Sequence, residues 1–320
     1  MNSNLSKMIS SRKSCAIEAH AKINLSLEIL GTRPDGYHDL RSVVMPIALH
    51  DDLWVEVSPS SGSDWHISIE IIPDGVDCSK IGDDKKNLCV KAADLFLSRA
   101  NGISADVFIR ITKRIPLGGG MGGGSADAAA TLIALNHLFS PTLFSQDELI
   151  SMAAEIGSDV PALLLGGTVL MEGRGEKVSR LNDFAPPFDI LLANPGTHIS
   201  TPAAFRAYDE MVLTKSQISS NIVHSRNCGG ALSDFATSLS NGLEKPVFAL
   251  YPEVARTAAA LKEAGAIGVL MSGSGATVFA LAESPEAAGN LAGALPDNCW
   301  KMISRTVPDG VMAAHGPLEA

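Results

Sequence analysis

Six of the seven residues from Gly118 to Gly124 are glycine. The run separates an alternating apolar–polar segment, Ala105–Lys113 (ADVFIRITK), from Ala126–Leu138, where helix formers carry apolar residues at 128, 132, 135 and 138. A strand leading through glycines into a helix has a physical use. Glycine lets the backbone take positive φ and approach a ligand closely, and the helix start adds unpaired N–H groups and a positive dipole end. Ile115–Asp127 (IPLGGGMGGGSAD) is therefore an expected anion site, phosphate above all. Three versions compete. A P-loop needs Gly-Lys-Ser/Thr, and Gly123-Gly124-Ser125 offers no lysine. The dinucleotide pattern G-x-G-x-x-G is met by Gly118, Gly120 and Gly123, but no acid stands about 20 residues later, where Leu135–Ser140 lie. The third is a long loop wrapped around a nucleoside triphosphate. A flexible linker fits poorly between such tightly patterned flanks.

The rest of the chain bounds what surrounds this loop. Its 320 residues suit two packed domains, and 46% hydrophobic with 19% charged residues is a globular composition. With 25 Lys+Arg against 35 Asp+Glu, net charge −10, a nucleic-acid groove is not expected. Cys15, Cys78, Cys89, Cys228 and Cys299 are scattered, so they read as reduced thiols of a cytoplasmic enzyme. Histidines form no metal-ligand motif, and no metal-ligating residue is assigned. No apolar run reaches the ~18–20 residues that span a bilayer, so no membrane is expected. Residues 1–14, with Lys7, Arg12, Lys13 and several serines, read as a disordered tail better than as a transit peptide.

Alternation predicts strands over Cys15–Leu30, Arg41–Leu49, Leu53–Val57 and Trp65–Ile72, with a Pro-Asp-Gly turn in Gly31–Gly36. Helices are expected over Asn87–Ser98, Ala126–Leu138 and Asp147–Ile156, with another starting at Gly157–Pro161. Gly166–Glu172 returns to strand, and Phe184–Pro187 is a plausible crossing between domains. Beyond it come a strand at Asp189–Ala193, helices at Ala203–Met211 and Pro252–Ala264, and a hairpin at Ile267–Ala282 interrupted by Ser272-Gly-Ser-Gly. A helix at Pro285–Ala292 and a strand at Trp300–Val307 close the pattern. The first third is rich in antiparallel strand, and the fold class is α+β, with antiparallel sheets covered by helices.

Single residues are ambiguous. Lys22 could be a solvated strand residue, Asp159 a helix cap, Tyr37-His38 a turn packed on the core, and Ser272–Gly275 a hairpin tip or a second backbone nest for anions. Taken in order they become specific. PLGGGMGGGSADAA resembles the glycine-rich motif of the superfamily containing galactokinase, homoserine kinase, mevalonate kinase and phosphomevalonate kinase. AKINLSLEILGTRPDGYHDLRSVV resembles the opening of the 4-diphosphocytidyl-2-C-methyl-D-erythritol kinase family, and IGSDVP and MSGSGATVFAL are similar to its later motifs. The resemblance spans residues 15–307.

That resemblance implies a two-domain small-molecule kinase fold. Residues 15–186 would bind ATP and carry the catalytic residues; 187–310 would contribute to the substrate pocket, leaving 311–320 as a tail. Lys22 and Asp159 match the catalytic pair, with Asn24 near the acceptor. Pro116, Leu117, Gly118, Gly119, Gly120, Met121, Gly122, Gly123, Gly124, Ser125 and Ala126 match the loop over the ATP phosphates, with Lys113 just upstream. Tyr37 and His38, then Thr201, Pro202 and Phe205, match the cytidine pocket, Tyr37 and Phe205 sandwiching the ring. Gly119 and Met121 replace the expected Ala and Leu, Ser158 stands for Ala, and Asn241-Gly242 for Asn-Asp, so Asn241 is given no role.

The implied reaction moves the ATP γ-phosphoryl group to the 2-hydroxyl of the cytidyl diphosphate sugar-alcohol, in non-mevalonate isoprenoid precursor synthesis. Asp159 would act as base, Lys22 would stabilise charge, Mg²⁺ would bridge the phosphates, and Ser125 would be a magnesium or phosphate ligand. The protein is expected to be a cytoplasmic monomer or weak dimer. Rivals are a sibling kinase for mevalonate or homoserine, an inactive sensor on the same fold, and an NAD-binding protein. Tyr37-His38 with Phe205 argues against the first, retention of Lys22 and Asp159 against the second, and the missing ribose-binding acid against the third.

Overall fold

Two long strands, β1 (Lys13–Thr32) and β2 (His38–Pro59), form an antiparallel hairpin through the Pro-Asp-Gly turn. Gly36 takes φ +82° there, and Asp35 Oδ1 accepts the Tyr37 N–H at 3.1 Å. The computed structural model describes residues 11–60, 64–79, 81–82, 86–100, 103–139, 143–212 and 231–315. Cys228, most of the expected N-terminal tail and residues 316–320 lie outside them.

β2 is one continuous strand. The break expected between Leu49 and Leu53 is absent because His50, Asp51 and Asp52 stay paired with His20, Ala19 and Glu18. Asp51 is fully buried and accepts the Arg114 and Ile115 N–H groups at 2.5 and 2.9 Å. β3 (His66–Pro73), α1 (Leu88–Arg99) and β4 (Ala105–Lys113) follow. β3 and β4 pair in parallel, a correction to the antiparallel expectation, since α1 serves as the crossover a parallel pair requires.

The glycine run then leads into α2 (Gly123–Leu138), three residues before the expected start. This helix buries nearly every side, from Ala126 to Leu138, beyond the single stripe its sequence suggests. α3 (Gln146–Ile156) opens with a Ser145/Glu148 capping box, and α4 (Val160–Leu165) carries Pro161 in its first turn. β5 (Val169–Gly173) pairs with β2, and β6 (Lys177–Arg180), unseen in the sequence, pairs with β5. Helices α1 to α4 cover one face of this sheet, around Phe96, Phe139, Leu132 and Ile109.

The second sheet is antiparallel, in the order β11-β7-β10-β9. It comprises β7 (Asp189–Asn194), β9 (Gly268–Met271), β10 (Val278–Ala282) and β11 (Trp300–Arg305). Its helices are α5 (Thr201–Val212), α6 (Leu232–Ala236), α7 (Glu244–Leu250), α8 (Pro252–Glu263) and α9 (Pro285–Ala292). β8 (Ser240–Asn241) leaves this half to pair with β1. A shared core joins the sheets, with Ile23, Leu25, Met45 and Ile47 against Ile190, Leu192, Phe279 and Leu281. The chain then returns to the first sheet, where His315 bridges Ala16.

Candidate active site

One cavity of about 710 Å³ opens between the two halves. The glycine run forms one wall: Pro116, Leu117, Gly118, Gly119, Gly120, Gly122, Gly123, Gly124 and Ser125 all border it. The loop is fixed from below by the Ser272–Gly275 turn between β9 and β10. Ser272 Oγ donates to the Gly120 carbonyl at 2.9 Å, and the Thr277 N–H to that of Gly119 at 3.1 Å. A Cβ at Gly120, where φ is +74°, would stand 2.1 Å from the Ser272 carbonyl oxygen. Glycine is thus demanded by backbone packing as well as by positive φ. Gly122 adopts φ +71° and hands over to α2, whose first-turn N–H groups have no intrahelical acceptor.

Met121 and Ala126 are buried in the cores and do not border the cavity. Met121 contributes its carbonyl, which accepts the Lys22 N–H at 3.0 Å. Lys113 also departs from its expected place. It is withdrawn into a buried triad, donating to Asp127 at 2.6 Å and to Asp51, beneath the loop and beside a neighbouring cavity. Burial alone would lower its pKa, but the charges of Asp127 and Asp51 raise it above the ordinary lysine range. Burial pushes the Asp127 carboxyl up; Lys113 opposes the shift and the Asp51 charge adds to it. Asp127 Oδ1 has no hydrogen-bond partner among the described residues.

Lys22 and Asp159 meet in this cavity. A β-bulge between His20 and Lys22 breaks the strand alternation and turns the lysine inward, leaving it 3% exposed. Its Nζ donates to Asn24 Oδ1 at 2.6 Å and to the Gly120 carbonyl at 2.9 Å, and lies 3.5 Å from Asp159 Oδ2. Asp159 occupies the N-cap position of α4 but caps nothing with its side chain, so its carboxylate faces the lysine and the cavity. Asn24 is held by Ser42 Oγ at 2.9 Å.

Tyr37, His38, Thr201, Pro202 and Phe205 border the same cavity. His38 stacks on Phe205 with ring centroids 4.8 Å apart, and its Nε2 is 2.8 Å from Asp209 Oδ1. Tyr37 is 56% exposed, with the Arg174 guanidinium 4.9 Å from its ring centroid. Arg174, Arg206 and Asp209 were not legible in the sequence, and Asn241, given no role there, has a structural one. Asn241 Nδ2 donates to the Met271 and Gly273 carbonyls at 2.8 and 2.7 Å, fixing the turn that supports the glycine loop. Among the described residues no three His, Cys, Asp or Glu side chains form a metal cluster, and no helix is long and apolar enough to cross a membrane.

Comparison with known proteins agrees with this geometry. The family model for the GHMP kinases N terminal domain matches residues 87–167, and that for GHMP kinases C terminal matches 224–300. The 4-diphosphocytidyl-2-C-methyl-D-erythritol kinase of Pelotomaculum thermopropionicum is 43% identical over 274 residues, covering 86% of this chain and 91% of that protein. The chain belongs to the 4-diphosphocytidyl-2-C-methyl-D-erythritol kinase family. A crystal structure of a 4-(cytidine 5'-diphospho)-2C-methyl-D-erythritol kinase superposes with a TM-score of 0.71 at 32% identity, covering 91% of this chain and 98% of that one. Homoserine kinase from Cytophaga hutchinsonii shares the fold of this kinase family, with a TM-score of 0.68 at 21% identity over 95% and 98% of the two chains.

Proposed function

We propose that the protein transfers the γ-phosphoryl group of ATP to the 2-hydroxyl of 4-diphosphocytidyl-2-C-methyl-D-erythritol, in the non-mevalonate route to isoprenoid precursors. The observation that carries this reading is the Lys22–Asp159 pair facing the glycine loop across one cavity. Residues 15–186 supply the donor site and that pair; residues 187–310 complete the acceptor pocket. The loop amides and the start of α2 hold the ATP phosphates, since N–H groups with no other acceptor fit an anion.

Asp159 accepts the hydroxyl proton as the new O–P bond forms. Lys22 neutralises charge on the phosphoryl oxygens, while Asn24 orients the lysine. Ser125 and Asp159 supply hard oxygen donors that suit Mg²⁺, an ion that takes most of its ligands from phosphates and water. When bound, that ion neutralises phosphate charge. Tyr37 and Phe205 receive the cytosine ring, and Phe205 is backed on one face by His38. The enzyme acts as a cytoplasmic monomer or weak dimer.

The test is a panel assay of ATP-dependent phosphorylation with the cytidyl acceptor, mevalonate and homoserine. Turnover of the cytidyl acceptor alone is expected. Turnover of either sibling substrate in preference to it would overturn the assignment.

A further inference from the structure

The β5–β6 turn carries an arginine that the reaction as described does not use. Arg174 borders the cavity and lies over the Tyr37 ring, 4.9 Å from its centroid. Neighbouring arginines are committed elsewhere: Arg33 pairs with Asp35 and Asp39, and Arg41 with Glu172. Arg174 forms no ion pair among the described residues. The turn that holds it is firmly seated. The Arg174 N–H donates to Glu176 Oε2 at 2.6 Å, and at Gly175 (φ +111°) a Cβ would stand 2.3 Å from the Ser158 carbonyl oxygen. Gly175 therefore packs against the residue preceding Asp159, while Arg174 reaches back to Tyr37.

That arrangement spans the cavity between the aromatic that receives a nucleobase and the carboxylate that receives a hydroxyl proton. In the acceptor, the group linking those two ends is a diphosphate. Of the other cations bordering the cavity, Lys22 is already shared among Asn24, Gly120 and Asp159, and Arg206 stands on α5 next to Phe205, away from the β5–β6 turn. A guanidinium offers five N–H donors in a planar fork that matches phosphate oxygens, and an aromatic face preorganises that plane.

We infer that Arg174 is a specificity-determining residue that binds the acceptor's diphosphate, with Tyr37 as its platform. The inference rests on the cytidyl-acceptor reading above. It makes Arg174 the group that selects a nucleoside diphosphate ester over an unphosphorylated nucleoside, and assigns it no part in proton transfer.

The experiment compares cytidine and cytidine 5'-diphosphate as competitive inhibitors against the acceptor, in the wild type and in Arg174→Gln and Arg174→Lys, with KM for ATP in each. A charge-assisted hydrogen-bonding arginine is worth ~1.5–3 kcal/mol, so Arg174→Gln should shrink the preference for the diphosphate about 10- to 150-fold. Cytidine affinity, KM for ATP and melting temperature should stay put, kcat should move little, and Arg174→Lys should recover only part of the preference. A wild-type preference that survives Arg174→Gln intact would overturn the inference alone. A rise in KM for ATP matching that for the acceptor would assign the arginine to the donor's phosphates and overturn it too. If neither compound inhibits the wild type, the cytidyl-acceptor reading fails, and the inference with it.

Discussion

Lys22 Nζ lies 3.5 Å from Asp159 Oδ2 while donating to Asn24 Oδ1 and to the Gly120 carbonyl. One ammonium thus ties the strand that carries it, the glycine loop and the segment before α4 to a single point. The lysine side chain is 4% exposed and the aspartate 34%, so the cation is locked in the wall while the carboxylate can meet a substrate. A solvated strand lysine would not be buried, and a capping aspartate would accept from the helix start. Neither description fits this pair.

The glycine loop makes a steric prediction. Gly120→Ala drives a Cβ into the Ser272 backbone, and Gly122→Val sets a β-branched residue at φ +71°, with its Cβ 3.2 Å from Lys22 Cε. Both variants should lose ATP affinity, by about tenfold or more, because a small misplacement at such a site costs up to ~10²-fold. Gly196→Ala, at φ +84° with nothing within 4 Å, should cost only ~1 kcal/mol of stability. Calorimetric titration with ATP alongside thermal melts checks this. Unchanged ATP affinity in a folded Gly122→Val protein would remove the phosphate-loop assignment.

The buried triad makes a prediction about pH. Asp127 holds its proton to a higher pH in the folded state than in the unfolded chain, whose aspartates titrate near ~3.9. The stability this contributes is complete below the unfolded value and is lost as pH rises through the raised one, with a slope of at most ~1.4 kcal/mol per pH unit. Asp127→Asn should flatten that slope, at a cost smaller than that of Asp51→Asn, because it gives up the ion pair with Lys113 but no backbone N–H contact. Asp51→Asn should cost ~3–5 kcal/mol, because Asp51 anchors Lys113 and two backbone N–H groups. Chemical unfolding of the three proteins across mildly acid to mildly alkaline pH is the check. An undiminished slope in Asp127→Asn would contradict it.

The aromatic pocket makes a third prediction. Tyr37→Ala and Phe205→Ala should each weaken acceptor binding by ~1–3 kcal/mol, about 5- to 150-fold, with ATP affinity unchanged. Phe205→Ala also strips the stacking partner from His38, so the two losses should be non-additive in the double variant. Acceptor and ATP affinities of the single and double variants decide this. An equal fall in ATP binding would make these rings nucleotide or core contacts.

The glycine loop and its following helix were legible because their signal is local: a composition and a period. The meeting of Lys22 with Asp159 was suggested only through ordered motifs, since a lysine in a strand and an aspartate before Val160-Pro161 have ordinary explanations taken singly. Lys113, expected just upstream of the loop as a nucleotide contact, is held in a buried triad and does not border the cavity. Its partners Asp51 and Asp127 stand 62 and 14 residues away, and local pattern carries no trace of such pairing. Asp209, bonded to His38, was missed for the same reason, whereas Asn241, bonded to Met271 and Gly273, was given no role because Gly242 departs from the family pattern. The parallel pairing of β3 with β4 was hidden because alternation reports a strand's burial and says nothing of its direction.

The central claim is that Asp159 is the base that accepts the hydroxyl proton. Its most direct test is the turnover of Asp159→Asn at saturating ATP and acceptor, with ATP affinity and melting temperature measured on the same protein. The amide keeps the shape and cannot take the proton, so turnover should fall ~10²–10⁴-fold while ATP affinity and melting temperature stay near those of the wild type. Near-normal turnover in a protein that melts early would contradict the account and return Asp159 to a structural role.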